Sequence, residues 1–97
     1  MGYRITLTES AKQDIAYFNT HEQRLIVAGI IAHLKADAEI RTRKKKPLRP
    51  NPIAPWELRV DKYRVFYSIE PESVVKIVAV GHKVHNDLLI RGRKVPL

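Results

Sequence analysis

Residues 56–67, WELRVDKYRVFY, are two alternating stretches separated by Asp61-Lys62. Period-two alternation is the pattern of a half-buried strand, and a two-residue link is the length of a tight hairpin. Closing the turn on Asp61-Lys62 pairs Val60 with Tyr63 and sets Arg59 directly opposite Arg64. It also sorts the side chains into two faces, because the period is two. Trp56, Leu58, Val60, Tyr63, Val65, Tyr67 and Ile69 share one face, which reads as core. Glu57, Arg59, Arg64 and Phe66 share the other. Two guanidinium groups facing each other across strands repel. A surface built this way is stabilised by an anion between them, and Arg is the cation whose planar fork matches phosphate oxygens.

The rest of the chain supplies partners for the core face. Over residues 2–7, Tyr3, Ile5 and Leu7 alternate with Arg4 and Thr6, which predicts a strand. Thr8-Glu9-Ser10 opens a helix. Ser10 with Gln13, and Thr20 with Gln23, have the spacing of capping boxes. Ala11, Ile15 and Phe18 form the apolar stripe of the first helix. Leu25, Val27, Ala28, Ile30, Ile31, Ala32 and Leu34 form the broad apolar face of a second, running to about Asp37. Their short link predicts antiparallel packing. Residues 41–55, RTRKKKPLRPNPIAP, contain four prolines and read as a connector. Strands follow at 56–60, 63–69 and 74–81, with EPES at 70–73 as a turn. The last 16 residues hold Leu88-Leu89-Ile90, then Gly92 and a basic tail. The order β-α-α-β-β-β predicts an α+β fold. Two antiparallel N-terminal helices pack on one face of a small, mostly antiparallel sheet, in a single domain over residues 1–97.

Charge is what points to a partner. The formal net charge is +8, from 18 Lys/Arg and 10 Asp/Glu. Residues 1–40 hold four of the bases and five of the acids, so residues 41–97 hold 14 and five, a net +9. That asymmetry fits a polyanion or an acidic protein. There is no cysteine, which excludes disulfides and thiolate metal sites. The longest apolar run, Leu25 to Ala32, is too short to span a bilayer, and the first residues lack a signal-peptide pattern. A soluble, cytoplasmic protein with no membrane partner is expected.

If strand 74–81 ends at Gly81, GHKVH brings His82, Lys83 and His85 beside Lys62 and Arg64. The run Arg43-Lys44-Lys45-Lys46 lies just before the hairpin. Phe66 is placed to stack a base. His82 and His85 find no further ligand but Asp87, so no metal is expected. No glycine-rich phosphate loop and no serine with a base are present, and no cofactor is expected.

The element order, the phrase WELRVDKYRVFY and the strand ending VVKIVAVGHKVHNDL together resemble the RelE/ParE superfamily of bacterial type II toxins. The resemblance covers nearly the whole chain. It implies one of two activities. RelE-like members cut mRNA in the ribosomal A site, the ribose 2'-hydroxyl attacking the adjacent phosphorus to leave a 2',3'-cyclic phosphate. ParE-like members poison DNA gyrase. Both are silenced by a cognate antitoxin that wraps the toxin. Arg64 matches the family arginine that stabilises charge on the scissile phosphate. Arg59 and Lys83 match basic positions beside it. Two positions depart from RelE, Glu57 standing where it has lysine and Leu89 where it has a functional tyrosine. Related nucleases use a histidine and a carboxylate instead, a role open to His85 and Glu57, since imidazole suits acid–base work at neutral pH.

The resulting expectation is a ribosome-associated mRNA endoribonuclease, partnered by an antitoxin, the ribosome and mRNA. Its catalytic residues would be Arg64, His85, Glu57 and Lys83. Its phosphate and RNA contacts would be Arg59, Lys62, His82, Arg43, Lys44, Lys45, Lys46 and Phe66. A gyrase inhibitor and a non-catalytic RNA-binding relic of the family are the alternatives.

Overall fold

A computed structural model describes residues 2–96. The helices start one or two residues earlier than the capping-box spacing predicts. The first, α1 (Glu9–Ala16), is capped by Thr8, whose side chain accepts from the Ala11 N–H at 3.0 Å. The second, α2 (Thr20–Leu34), is capped by Asn19 in a reciprocal box with Glu22. Asn and Thr both serve as N-caps, and the position with extended backbone, not the spacing to a glutamine, decides which residue caps.

The strands are β1 (Arg4–Leu7), β2 (Lys45–Pro47), β3 (Trp56–Val60), β4 (Tyr63–Glu70), β5 (Val74–Val84), β6 (Asp87–Ile90) and β7 (Arg93–Lys94). They form one sheet in the order β2-β3-β4-β5-β6-β7, every neighbouring pair antiparallel. β1 runs parallel to β5 along residues 74–77. The fold is α+β, with both helices on one sheet face. Beyond the predicted elements, the connector contributes β2, and β5 runs on past Gly81 to pair with β6.

The predicted core face is the observed one. Leu58, Tyr63, Val65 and Tyr67 are buried against Ala11, Ile15, Phe18, Ile26, Ile30 and Leu34 of the helical layer, with Trp56, Val60 and Ile69 packed at its margin. The opposite face is not simply solvated. Over half of it, Phe66, Ala54, Ala79 and Leu88 make a second core, roofed by Leu48, Ile53, Ile90 and Val95.

One irregularity sets which β5 side chains face which layer. The β4–β5 register slips between Phe66 and Tyr67, so that Phe66 pairs with Ala79 but Tyr67 pairs with Ile77. Val78 is the extra residue of a β-bulge. Before it, Val75 and Ile77 face the helices; after it, Val80 does. The bulge therefore reverses the parity of every later position on β5.

Asp14 closes the gap left between β1 and β6 along the β5 edge. It is fully buried, and its Oδ2 accepts from the Val80 N–H at 3.0 Å. Its Oδ1 lies 2.8 Å from Arg91 Nε, an ion pair whose N–H is not aligned on the oxygen. Burial pushes the carboxyl up from the ordinary aspartate value, opposed by the Val80 hydrogen bond and by Arg91.

Candidate nucleic-acid interface

The uncovered half of the outer face holds a pocket of about 160 Å³ lined by Arg43, Lys44, Lys46, Glu57, Arg59, Arg64 and Lys83. Six cations surround one carboxylate. Most are there for a reason of register. Arg59 pairs with Arg64 across the β3–β4 hairpin, as its two-residue turn requires. Lys46 pairs with Glu57 on β2 and β3, and their charged ends are 3.9 Å apart. The Arg59 N–H donates to the Lys44 carbonyl, which extends the pairing by one residue. Lys83 reaches this face because the bulge at Val78 has shifted the parity of β5.

Arg64 is the buried member, only 8% exposed. Its Nη1 donates to the main-chain carbonyls of Asp61 at 2.7 Å and Tyr63 at 2.9 Å. Burial, then the neighbouring Arg59, lowers its pKa below the usual guanidinium value, while Glu57 and Asp61 act the other way. A guanidinium nevertheless stays charged at working pH. Glu57 is 7% exposed, a carboxylate enclosed by cations.

All seven lining residues were legible in the sequence. Five further candidates lie elsewhere. Lys45 is buried, and its ammonium donates to the carbonyls of His33 at 3.0 Å and Asp37 at 2.6 Å. It is the middle lysine of the run, so strand alternation sends it to the helix side while Lys44 and Lys46 face the pocket. Phe66 is fully buried in the second core and has no face free for a base. His82 pairs with Tyr63 on the helix side, its ring edge-on to Phe18 with centroids 5.4 Å apart. Its buried Nδ1 has no hydrogen-bond partner among the described residues. Lys62 also turns to that side, with Nζ 3.8 Å from Glu22 Oε2 and 5.5 Å from the Tyr63 ring centroid. His85 is an exposed residue at the β5–β6 turn with φ of 58°, outside the pocket lining. His85 is carried away because β5 continues as a paired strand instead of ending at Gly81, and His82 turns to the helix side because the bulge at Val78 reverses the parity of β5.

Lys62 and His82 belong to a separate polar group around Glu22. The Tyr63 hydroxyl donates to Glu22 Oε2 at 2.7 Å. That bond holds the Glu22 carboxyl below its usual value, helped by the Asn19 N–H. Burial, with the same bond, pushes the Tyr63 phenol up to about 12. What sequence reasoning missed at the pocket is not a side chain but the two carbonyls that hold Arg64.

The family model described as ParE toxin of type II toxin-antitoxin system, parDE, matches residues 5–86. The chain belongs to this family. The fold is similar to that in the toxin-antitoxin complex RelBE2 from Mycobacterium tuberculosis. That match has a TM-score of 0.73 at 25% identity, covering 86% of this chain and 100% of that one. The archaeal RelE-RelB complex from Pyrococcus horikoshii OT3 shares the fold, with a TM-score of 0.67 at 16% identity over 88% and 99% of the two chains. No curated protein matches the sequence significantly. Among the described residues no helix is long and apolar enough to cross a membrane.

Proposed function

We propose that this family member is the toxin of a type II pair and acts as an endoribonuclease on mRNA at the ribosome. The observation that carries the reading is the buried Arg64 beside the buried Glu57 in one cation-lined pocket. In this reading a scissile phosphate sits on the guanidinium of Arg64. Glu57 takes the proton of the ribose 2'-hydroxyl as its oxygen bonds to phosphorus. The bond from phosphorus to the 5'-oxygen breaks, giving a 2',3'-cyclic phosphate and a 5'-hydroxyl. Lys83 faces the same pocket and supplies the proton to the leaving oxygen. Fixed positive charge at the point of developing negative charge is usually the largest single catalytic contribution. Arg59 and Lys46 hold the flanking backbone, and Arg43 and Lys44 add the sequence-independent attraction. His85 has no part, being outside the pocket. An antitoxin partner follows from the two structural relatives, each described as a complex of toxin with antitoxin.

The test is primer extension on mRNA in a translating extract. Codon-phased cuts are expected from the wild type. Arg64→Ala and Glu57→Gln should lose them, by about 10²–10⁴ in rate for the acid–base residue. His85→Gln should cut normally. A second reading, gyrase inhibition, is favoured by the matching family model being that of the ParE toxin. Intact mRNA together with DNA breaks that need purified gyrase would establish it in place of the first.

A further inference from the structure

Arg64 is oriented by backbone, and the orientation leaves a particular edge of the guanidinium open. Nη1 carries two hydrogens, and its two contacts are the carbonyls of Asp61 and Tyr63. Among the described residues no acceptor engages Nε or Nη2. Those two nitrogens form the side of the fork that grips two oxygens of one phosphate.

The carbonyls belong to the hairpin turn, and three in succession serve pocket cations. Asp61 and Tyr63 accept from Arg64. Between them, the Lys62 carbonyl accepts from the Lys83 N–H at 2.9 Å. The turn thus fixes one pocket cation by its side chain and a second by its backbone. Asp61 makes this possible with a left-handed backbone, φ of 54°. Asp, Asn and Gly enter that region readily, whereas β-branched residues rarely do. The Asp61 side chain has no hydrogen bond or ion pair among the described residues.

We propose that Asp61 is a positioning residue of the anion pocket. Through its left-handed backbone it aims its carbonyl at Arg64 Nη1, leaving the Nε–Nη2 edge to take a phosphate. The inference rests on the anion-binding part of the ribonuclease reading and not on cleavage.

The test separates the two, because its probe is inorganic phosphate. In the folded wild-type protein, NMR of the arginine side chains at low temperature should show phosphate shifting the Arg64 Nε and Nη2 signals and sparing Nη1. A shift confined to Nη1 overturns the proposal without any variant. Asp61→Asn and Asp61→Gly keep the backbone conformation and should bind phosphate within about twofold of wild type. Asp61→Val opposes it and should weaken binding about tenfold, the worth of one charge-assisted hydrogen bond. Asp61→Val binding as wild type while folded refutes the proposal. So does Asp61→Gly losing as much as Asp61→Val, which would assign the role to the carboxylate. If phosphate behaves as expected but mRNA stays intact, the positioning role stands and the ribonuclease reading fails.

Discussion

The three consecutive lysines at 44–46 do different work, and replacing the middle one shows it. Lys45→Met keeps the stem's length and apolar character but removes the ammonium. Two hydrogen bonds from a charged donor disappear, those to the His33 carbonyl in the last turn of α2 and to the Asp37 carbonyl just beyond it. Each such bond contributes about 1.5 kcal/mol or more, and the carbonyls left behind are without that donor. Loss of a cation at a helix C-terminus adds about 0.5 kcal/mol. Relief from desolvating the ammonium offsets roughly 1 kcal/mol of this. The net expected loss is about 2–3 kcal/mol, a large part of the 5–15 kcal/mol typical of a domain. For a domain near 100 residues it lowers Tm by about 10–20 °C. The assay is thermal and urea denaturation, with the double variant Lys44→Met, Lys46→Met as comparison. That pair is expected to melt within about 0.5 kcal/mol of wild type, as exposed positions do. Its RNA binding should instead weaken and its salt dependence flatten by about two phosphate contacts. A Lys45→Met protein that melts like wild type, or that loses binding as the pair does while staying folded, refutes the division.

The sheet-edge aspartate gives a pH signature. Burial raises the Asp14 pKa, so the folded state holds its proton over a window in which the unfolded state, near 3.8, has released it. Stability from this group therefore falls as pH rises from about 3.8 through the folded pKa. Asp14→Asn keeps an oxygen for the Val80 N–H and removes the titration. Urea melts from acid to neutral pH should show wild type losing stability relative to Asp14→Asn as pH rises. A gain instead would mean that the Arg91 pair outweighs burial. At Gly81, a Cβ would collide with the Leu89 carbonyl oxygen and stand 2.9 Å from Ile90 Cγ1. Backbone cannot yield as a side chain does, so Gly81→Ala should cost about 1–3 kcal/mol by overpacking. Unchanged melting would show that β6 is free to move.

Local pattern settled a great deal of this protein. The alternation in residues 56–67 fixed the hairpin, its register and the split into a core face and a charged face, because neighbouring residues in a strand must point opposite ways. The apolar stripes fixed two helices, and together with the strand order they fixed the α+β architecture. Glu57, Arg59 and Arg64 of the pocket follow from that split, while the basic run before the hairpin and Lys83 were singled out by composition and by order along the chain. Pairing across the chain decided what pattern left open. β2 exists only because β3 offers it an edge, and that pairing is what separates Lys45 from its neighbours in an otherwise uniform run. β5 passes Gly81 because β6 folds back on it, which turns His85 into a turn residue. The bulge at Val78 exchanges the faces of His82 and Lys83, since a single extra residue reverses a period of two. Phe66 shares a face with Arg64 by parity. Only the packing of Leu48, Ile53, Ala54 and Leu88, distant in sequence, buries the first and leaves the second lining a cation-rich pocket.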